Sequence, residues 1–268
     1  MQSPRNLHAR PAARVHAAHM RKHTRPLLVG ISALVALSTL SGCSGGSSTE
    51  ATSSPQPAPE TTTAAQFPAS ARYMADMTAA DGKKMTIGIS VDGSEIAAYA
   101  CNGTDDEAWF FGKQADGQID VKSRFRDTLQ AEFNGTAVTG EVTMNEVDYD
   151  FTANSVSGMA GMYTAESDGV RASWVVRPDG SATGVQFAGF PEDDRNFDPF
   201  NLDGLTDFQV RNDVRNKRNL GPAGPIEFPQ GGKPQSSING KPVSPTLVTG
   251  TFRLGCGAGG RRALPHAE

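Results

Sequence analysis

The sequence predicts an all-β fold: an antiparallel meander forming a barrel or sandwich of about ten strands, with one short helix in a Pro/Gly-rich C-terminal extension. Three observations carry that expectation. Apolar and polar residues alternate at period two, as they do in strands with one buried face. Between residues 81 and 180 there are five Asp-Gly and two Asn-Gly pairs, spaced at one strand plus one turn. Helical periodicity is absent from the same stretch.

The first clear strand is Lys84 to Val91, where Met85, Ile87, Ile89 and Val91 alternate with Thr86, Gly88 and Ser90. Asp92-Gly93 then supplies the positive-φ pair of a tight hairpin. Leu129, Ala131 and Phe133 alternate up to Asn134-Gly135. Val138, Gly140, Val142 and Met144 form the next run, and Val147, Tyr149 and Phe151 the one after. Val170, Ala172, Trp174 and Val176 lead into Asp179-Gly180, and Thr183, Val185 and Phe187 close the series. If these strands share one interior, Met85, Ile87, Ile89, Val142, Tyr149, Phe151, Trp174 and Val185 face it, while Thr86, Ser90, Asp148, Asp150 and Arg171 face solvent.

Asp81-Gly82 precedes Asp92-Gly93 by eleven positions, and Asp168-Gly169 precedes Asp179-Gly180 by the same eleven. A duplication and a coincidence of equal strand lengths both account for the echo. Beyond Phe187, eight prolines from Pro191 to Pro245 keep most of that segment out of a central sheet. One helix is signposted inside it, over residues 206 to 219. Thr206 and Gln209 make a capping box, Leu205 and Val210 a hydrophobic staple, and Arg215, Lys217 and Arg218 suit the C-terminal dipole before Gly221-Pro222. A final strand is expected over Thr246 to Leu254, with residues 257–268 as a tail.

The N-terminal region is organised differently. Arg21, Lys22 and Arg25 form a positive segment, followed by an uncharged apolar run from Leu27 to Leu40. That run falls short of the roughly 20 apolar residues that span a bilayer, so it reads as a signal for export. Met20 stands where such a signal begins, so the start is Met1 or Met20. Leu40-Ser41-Gly42-Cys43 then resembles the lipobox of bacterial lipoproteins: a branched aliphatic residue, two small residues and a cysteine. The resemblance implies cleavage between Gly42 and Cys43 and a diacylglyceryl anchor with fatty acyl chains such as palmitate on the Cys43 thiol. It places the chain at the cell membrane, on the extracytoplasmic face.

Residues 43–67, which between Cys43 and Phe67 are mostly Ser, Thr, Pro, Ala and Gly with two glutamates, cannot bury enough apolar surface to order themselves. They read as a tether reaching roughly 25 Å from the bilayer. The β domain is assigned to residues 68–190 and the Pro/Gly-rich extension to 191–256. Signal, tether and β domain together look like the small lipoproteins of actinobacterial cell envelopes. That likeness implies location only.

Six basic residues and no acidic one lie before Cys43, leaving 19 basic residues against 29 acidic ones, a balance of −10. Such a surface repels phosphate backbones, so no nucleic acid is expected as a partner. The histidines are His8, His16, His19, His23 and His266: four in the signal and one in the tail. Imidazole-based hydrolase chemistry and imidazole-ligated zinc therefore lack their key group in the β domain, and neither a catalytic residue nor a cofactor is assigned.

Asp148 and Asp150 share a strand face and offer a general acid/base pair or a solvated polar face. From Asp194, the run Asp194-Arg195-Asn196-Phe197-Asp198 places oxygen ligands as a calcium loop does. However, Pro199 stands where glycine makes the bend and Leu205 where a bidentate glutamate belongs, so no metal is assigned.

Cys101 and Cys256 remain after lipidation of Cys43. They either pair, closing a loop of 154 intervening residues that is worth about 5 kcal/mol by chain entropy, or stay apart with Cys101 as a small core residue. Trp109, Phe110, Phe111, Tyr149, Phe151, Tyr163, Trp174 and Phe187 recur on the strands, as lining for a hollow barrel or as plain core. The leading functional expectation is an envelope lipoprotein that is not an enzyme and whose β domain binds a small apolar ligand or envelope polymer. The alternatives are a structural or protein-interaction module and a carboxylate-dependent enzyme acting on glycans.

Overall fold

The computed structural model describes residues 65–191 and 201–255. Eight strands run up and down in chain order: β1 (Ser70–Thr78), β2 (Lys84–Asp92), β3 (Glu95–Cys101), β4 (Glu107–Ala115), β5 (Gln118–Lys122), β6 (Thr128–Phe133), β7 (Ala137–Met144) and β8 (Val147–Val156). Each pairs antiparallel with the next, and β8 returns to β1 through Arg72↔Val156, Tyr73↔Ser155 and Met74↔Asn154. The meander is thus a closed barrel. The turns use the residues the sequence marks: Asp116-Gly117 in the barrel and Asp168-Gly169 beyond it carry positive φ at both positions. Asn145 and Glu146 do the same between β7 and β8 without any glycine.

Period-two alternation fills the barrel. Tyr73, Met85, Ile87, Ile89, Ile96, Phe110, Leu129, Val142, Tyr149 and Phe151 form one continuous buried cluster. An eight-stranded interior is just wide enough for side chains to fill it, and here they do. A hollow barrel lined by aromatic groups is therefore not what forms. Ala65 and Phe67, at the end of the expected tether, pack against this cluster, and Phe67 stacks on Phe133 at 4.8 Å.

The next strands leave the barrel. β9 (Gly161–Ser167), β10 (Val170–Val176) and β11 (Ala182–Phe187) form the centre of a second sheet. Two short strands complete it, β12 (Leu220–Pro222) beside β11 and β15 (Thr246–Leu247) beside β9. Pro222 sits on an edge strand, where its missing N–H costs no ladder bond. Between these lie β13 (Ser236–Ile238) and β14 (Lys241–Val243), a separate two-stranded ribbon. The final strand expected over Thr246 to Leu254 is thus only two residues long.

The second sheet has two covered faces. One, with Met162, Val175 and Val185, packs on the outside of β2 and β3 against Ala97, Tyr99 and Cys101. The other, with Tyr163, Trp174 and Val176, is covered by Ile226 and Ile238 of the Pro-rich extension. The apolar set expected to share one interior is consequently divided: Trp174 and Val185 lie in different clusters from the barrel residues. Thr86 and Ser90, expected in solvent, are buried because the second sheet covers β2. Close approach there depends on Gly88, where an added Cβ would lie 2.4 Å from Met162 Cγ.

The expected helix begins as drawn, with a capping box between Thr206 and Gln209. Its first turn, α1 (Asp207–Gln209), passes into a π-helical turn over Val210–Val214 and a 3₁₀ turn over Arg215–Lys217. Leu202, Val210 and Val214 bury its apolar face, with Leu205 and Phe125 beside them. Arg215 and Arg218 do not serve an exposed helix end; both are buried against the barrel.

Candidate functional site

β4 carries three consecutive aromatic residues, so its alternation must place aromatic groups on both faces. Phe110 points into the barrel, while Trp109 belongs to the cluster outside it, with Phe111 packed alongside. β4 pairs with β5 only through Gln114↔Ile119 and Ala115↔Gln118, leaving the outer face of its first half without a strand neighbour on that side. A groove of about 520 Å³ follows this face. Trp109 and Phe111 line one wall; Phe125, Phe187 and Phe190 come from the loop after β5 and the end of the second sheet. Leu254 and Gly255 complete it.

The walls are ordered by ring contacts. Trp109 lies 5.5 Å from Phe111 with nearly parallel planes, and Phe187 meets Phe190 edge-on at the same distance. Three guanidinium groups stack on three of these rings: Arg218 on Phe125 at 4.8 Å, Arg171 on Phe187 at 5.1 Å and Arg253 on Phe111 at 5.6 Å. Five basic side chains and one acidic one line the groove, in a chain that is acidic after its signal.

The groove floor is a buried ionic network. Arg171 Nη2 donates to Glu107 Oε1, and Tyr99 donates to Glu107 Oε2 at 3.0 Å. Arg218 donates to the Glu107 carbonyl at 2.7 Å and to Asp106 at 3.2 Å. Arg215 bridges Asp106 at 2.6 Å and Asp127 at 3.1 Å, and Ser123 donates to the second Asp127 oxygen at 2.8 Å. Burial outweighs the neighbouring guanidiniums at Asp106 and raises its pKa above the ordinary carboxylate value. Burial likewise lowers the pKa of Arg218 and lifts that of the Tyr99 hydroxyl well above its usual value.

Against this dense pairing, two donors on the groove find no acceptor among the described residues: Trp109 Nε1 and Arg171 Nε. Both atoms are buried, and Trp109 as a whole is only 7% exposed. A buried donor without a partner costs about 1–3 kcal/mol, so such atoms mark places completed by something else. The other indole is the contrast, because Trp174 Nε1 donates to the Gly224 carbonyl at 2.8 Å.

A second depression, of about 550 Å³, lies at the barrel end near Lys83, Asn102 and Asn145. Most of its charges are paired: Lys83 pairs with Asp81, Asp105 accepts from Asn102 and Thr104, and Asp106 pairs with both arginines.

Most other sequence-marked residues fall elsewhere. Asp148 and Asp150 are exposed on the outer face of β8, flanking inward Tyr149 and Phe151. Arg171, expected in solvent, is mostly covered and holds Glu107. Cys101 is fully buried between barrel and second sheet; its thiol donates to the Thr183 carbonyl at 3.7 Å, and burial pushes its pKa up to about 12. Gly42, Cys43, Cys256 and the acidic run 192–198 lie outside the described residues. Among the described residues no three or more His, Cys, Asp or Glu side chains are grouped to hold a metal, and no helix is long and apolar enough to cross a membrane.

Nothing in the sequence joins the groove residues Glu107, Arg218 and Arg253, because they come from separate parts of the chain. The Trp109-Phe110-Phe111 run was the usable hint. Comparison with family models, curated proteins and solved structures finds no match for this chain.

Proposed function

We propose that this chain is a lipid-anchored envelope protein that is not an enzyme and binds a small apolar ligand, or an apolar part of an envelope component, in the groove outside the barrel. The lipobox Leu40-Ser41-Gly42-Cys43 supports anchoring through Cys43 at the extracytoplasmic face. The observation that carries the binding reading is the groove itself: about 520 Å³, walled by Trp109, Phe111, Phe125, Phe187 and Phe190. Small-molecule sites have this volume and this mixture of apolar walls with a few placed polar groups. The filled barrel supports a site outside it. The exposed positions of Asp148 and Asp150 remove the main support for carboxylate catalysis.

The test uses the mature chain from residue 43 with Cys43→Ser, purified without detergent. Mass spectrometry of its organic extract is expected to find a retained small molecule. The double variant Phe111→Ala with Phe187→Ala strips two groove walls, and should retain about tenfold less or lower still. A parent chain that releases nothing, or a variant that retains as much, contradicts the reading.

A further inference from the structure

The groove offers more than apolar surface. Its two unmatched donors, Trp109 Nε1 and Arg171 Nε, are buried atoms of residues that line it, and its lining carries five basic side chains to one acidic. The basic groups are not all spent outward: Arg171 and Arg218 are held from behind by Glu107 and Asp106, which fixes their planes against Phe187 and Phe125. A rigid, pre-paired guanidinium with one N–H left over recognises an oxygen acceptor without having to be ordered by it. An indole N–H can only donate, so its partner must be an acceptor as well.

Resting on the binding reading above, we propose that the ligand is an anionic amphiphile, a molecule with an aromatic or aliphatic body and a single carboxylate-type head. The body lies against Trp109, Phe111 and Phe187, and the head accepts from Trp109 Nε1 and Arg171 Nε. A neutral apolar molecule of the same shape leaves both donors buried and unpaired, so it binds more weakly. A cationic one meets the guanidiniums and is rejected.

The chain has two tryptophans, which gives a direct readout. The mature chain with Cys43→Ser, labelled with ¹⁵N-tryptophan, shows two indole N–H cross-peaks; Trp109→Phe removes one and assigns the other to Trp174. The probes are 2-naphthoate and its methyl ester. Both should move the Trp109 peak and leave the Trp174 peak, which is hydrogen-bonded inside the extension, in place. The naphthoate should bind about tenfold tighter than the ester, the usual scale of one charge-assisted hydrogen bond. In Trp109→Phe, with binding followed by titration calorimetry, both probes should bind more weakly and the preference for the naphthoate should shrink; an unmoved Trp174 peak shows that the variant is folded. Equal affinities of both probes for the parent overturn the anionic class and leave the binding groove standing. If neither probe moves the Trp109 peak, as when another stretch of the chain fills the groove, the binding reading itself falls, and this inference with it.

Discussion

Arg215 shows how far a single side chain can depart from its local sequence signal. Placed near the end of a predicted helix, it reads as a favourable charge at the C-terminal dipole. In the fold its side chain is 3% exposed and joins Asp106 to Asp127, whose own side chain is fully covered. Breaking a buried ion pair from one side leaves the other charge unmatched, which costs far more than loss of an exposed pair. Arg215→Ala is therefore expected to lower stability by about 3–5 kcal/mol in urea unfolding. Arg211→Ala, four residues earlier and only 4.0 Å from Glu146 at the surface, should cost under about 1 kcal/mol. Similar losses in the two variants would show that the network is not what fixes the 3₁₀ turn to the barrel. No spacing rule in the sequence pairs Asp106 with Arg215, since the two are 109 residues apart.

At the scale of elements, the strands were legible and their partners were not. Period two and Asp-Gly turns locate β2, β6, β7, β8, β10 and β11, because a half-buried strand writes its two faces into alternate residues. The same alternation cannot say whether the polar face meets water or a second sheet. In β2 the outer residues Thr86, Gly88 and Ser90 are small, and that smallness, not polarity, is what lets β9 and β10 lie on them. Ser90 even donates to the Val248 carbonyl across the join, at 2.9 Å. Gly88→Val tests the point. Its side chain has no room beside Met162, and overpacking of this kind costs about 1–3 kcal/mol by thermal or urea denaturation. A neutral substitution would mean that the second sheet does not sit against the barrel there. The π-helical turn after α1 was likewise unreadable, since Thr206 and Gln209 announce where a helix starts and say nothing of its pitch.

Across the whole molecule, three layers follow one another in the chain: a filled barrel, a sheet laid on its outer wall, and a Pro-rich wrapping that caps the sheet. The layering moves the candidate site outside the barrel, to the seam where the wrapping, the sheet edge and β4 meet. Only the aromatic run on β4 foreshadowed it; the arginines arrive from β10, from the turn before β12 and from beyond β15. Anchoring is a separate property of the N-terminal segment, and one thiol decides it. Cys43→Ala is expected to abolish incorporation of labelled fatty acid, whereas retained label would refute the lipobox assignment.

The position of the site is the claim on which the functional account depends. It is tested most directly by intermolecular nuclear Overhauser effects from bound methyl 2-naphthoate, a neutral probe that needs no head-group recognition. The account predicts contacts from the naphthalene protons to the rings of Phe111, Phe125 and Phe187. Contacts to the methyl groups of Ile87, Ile89 or Leu129, deep in the barrel, or no contacts at all, would contradict it.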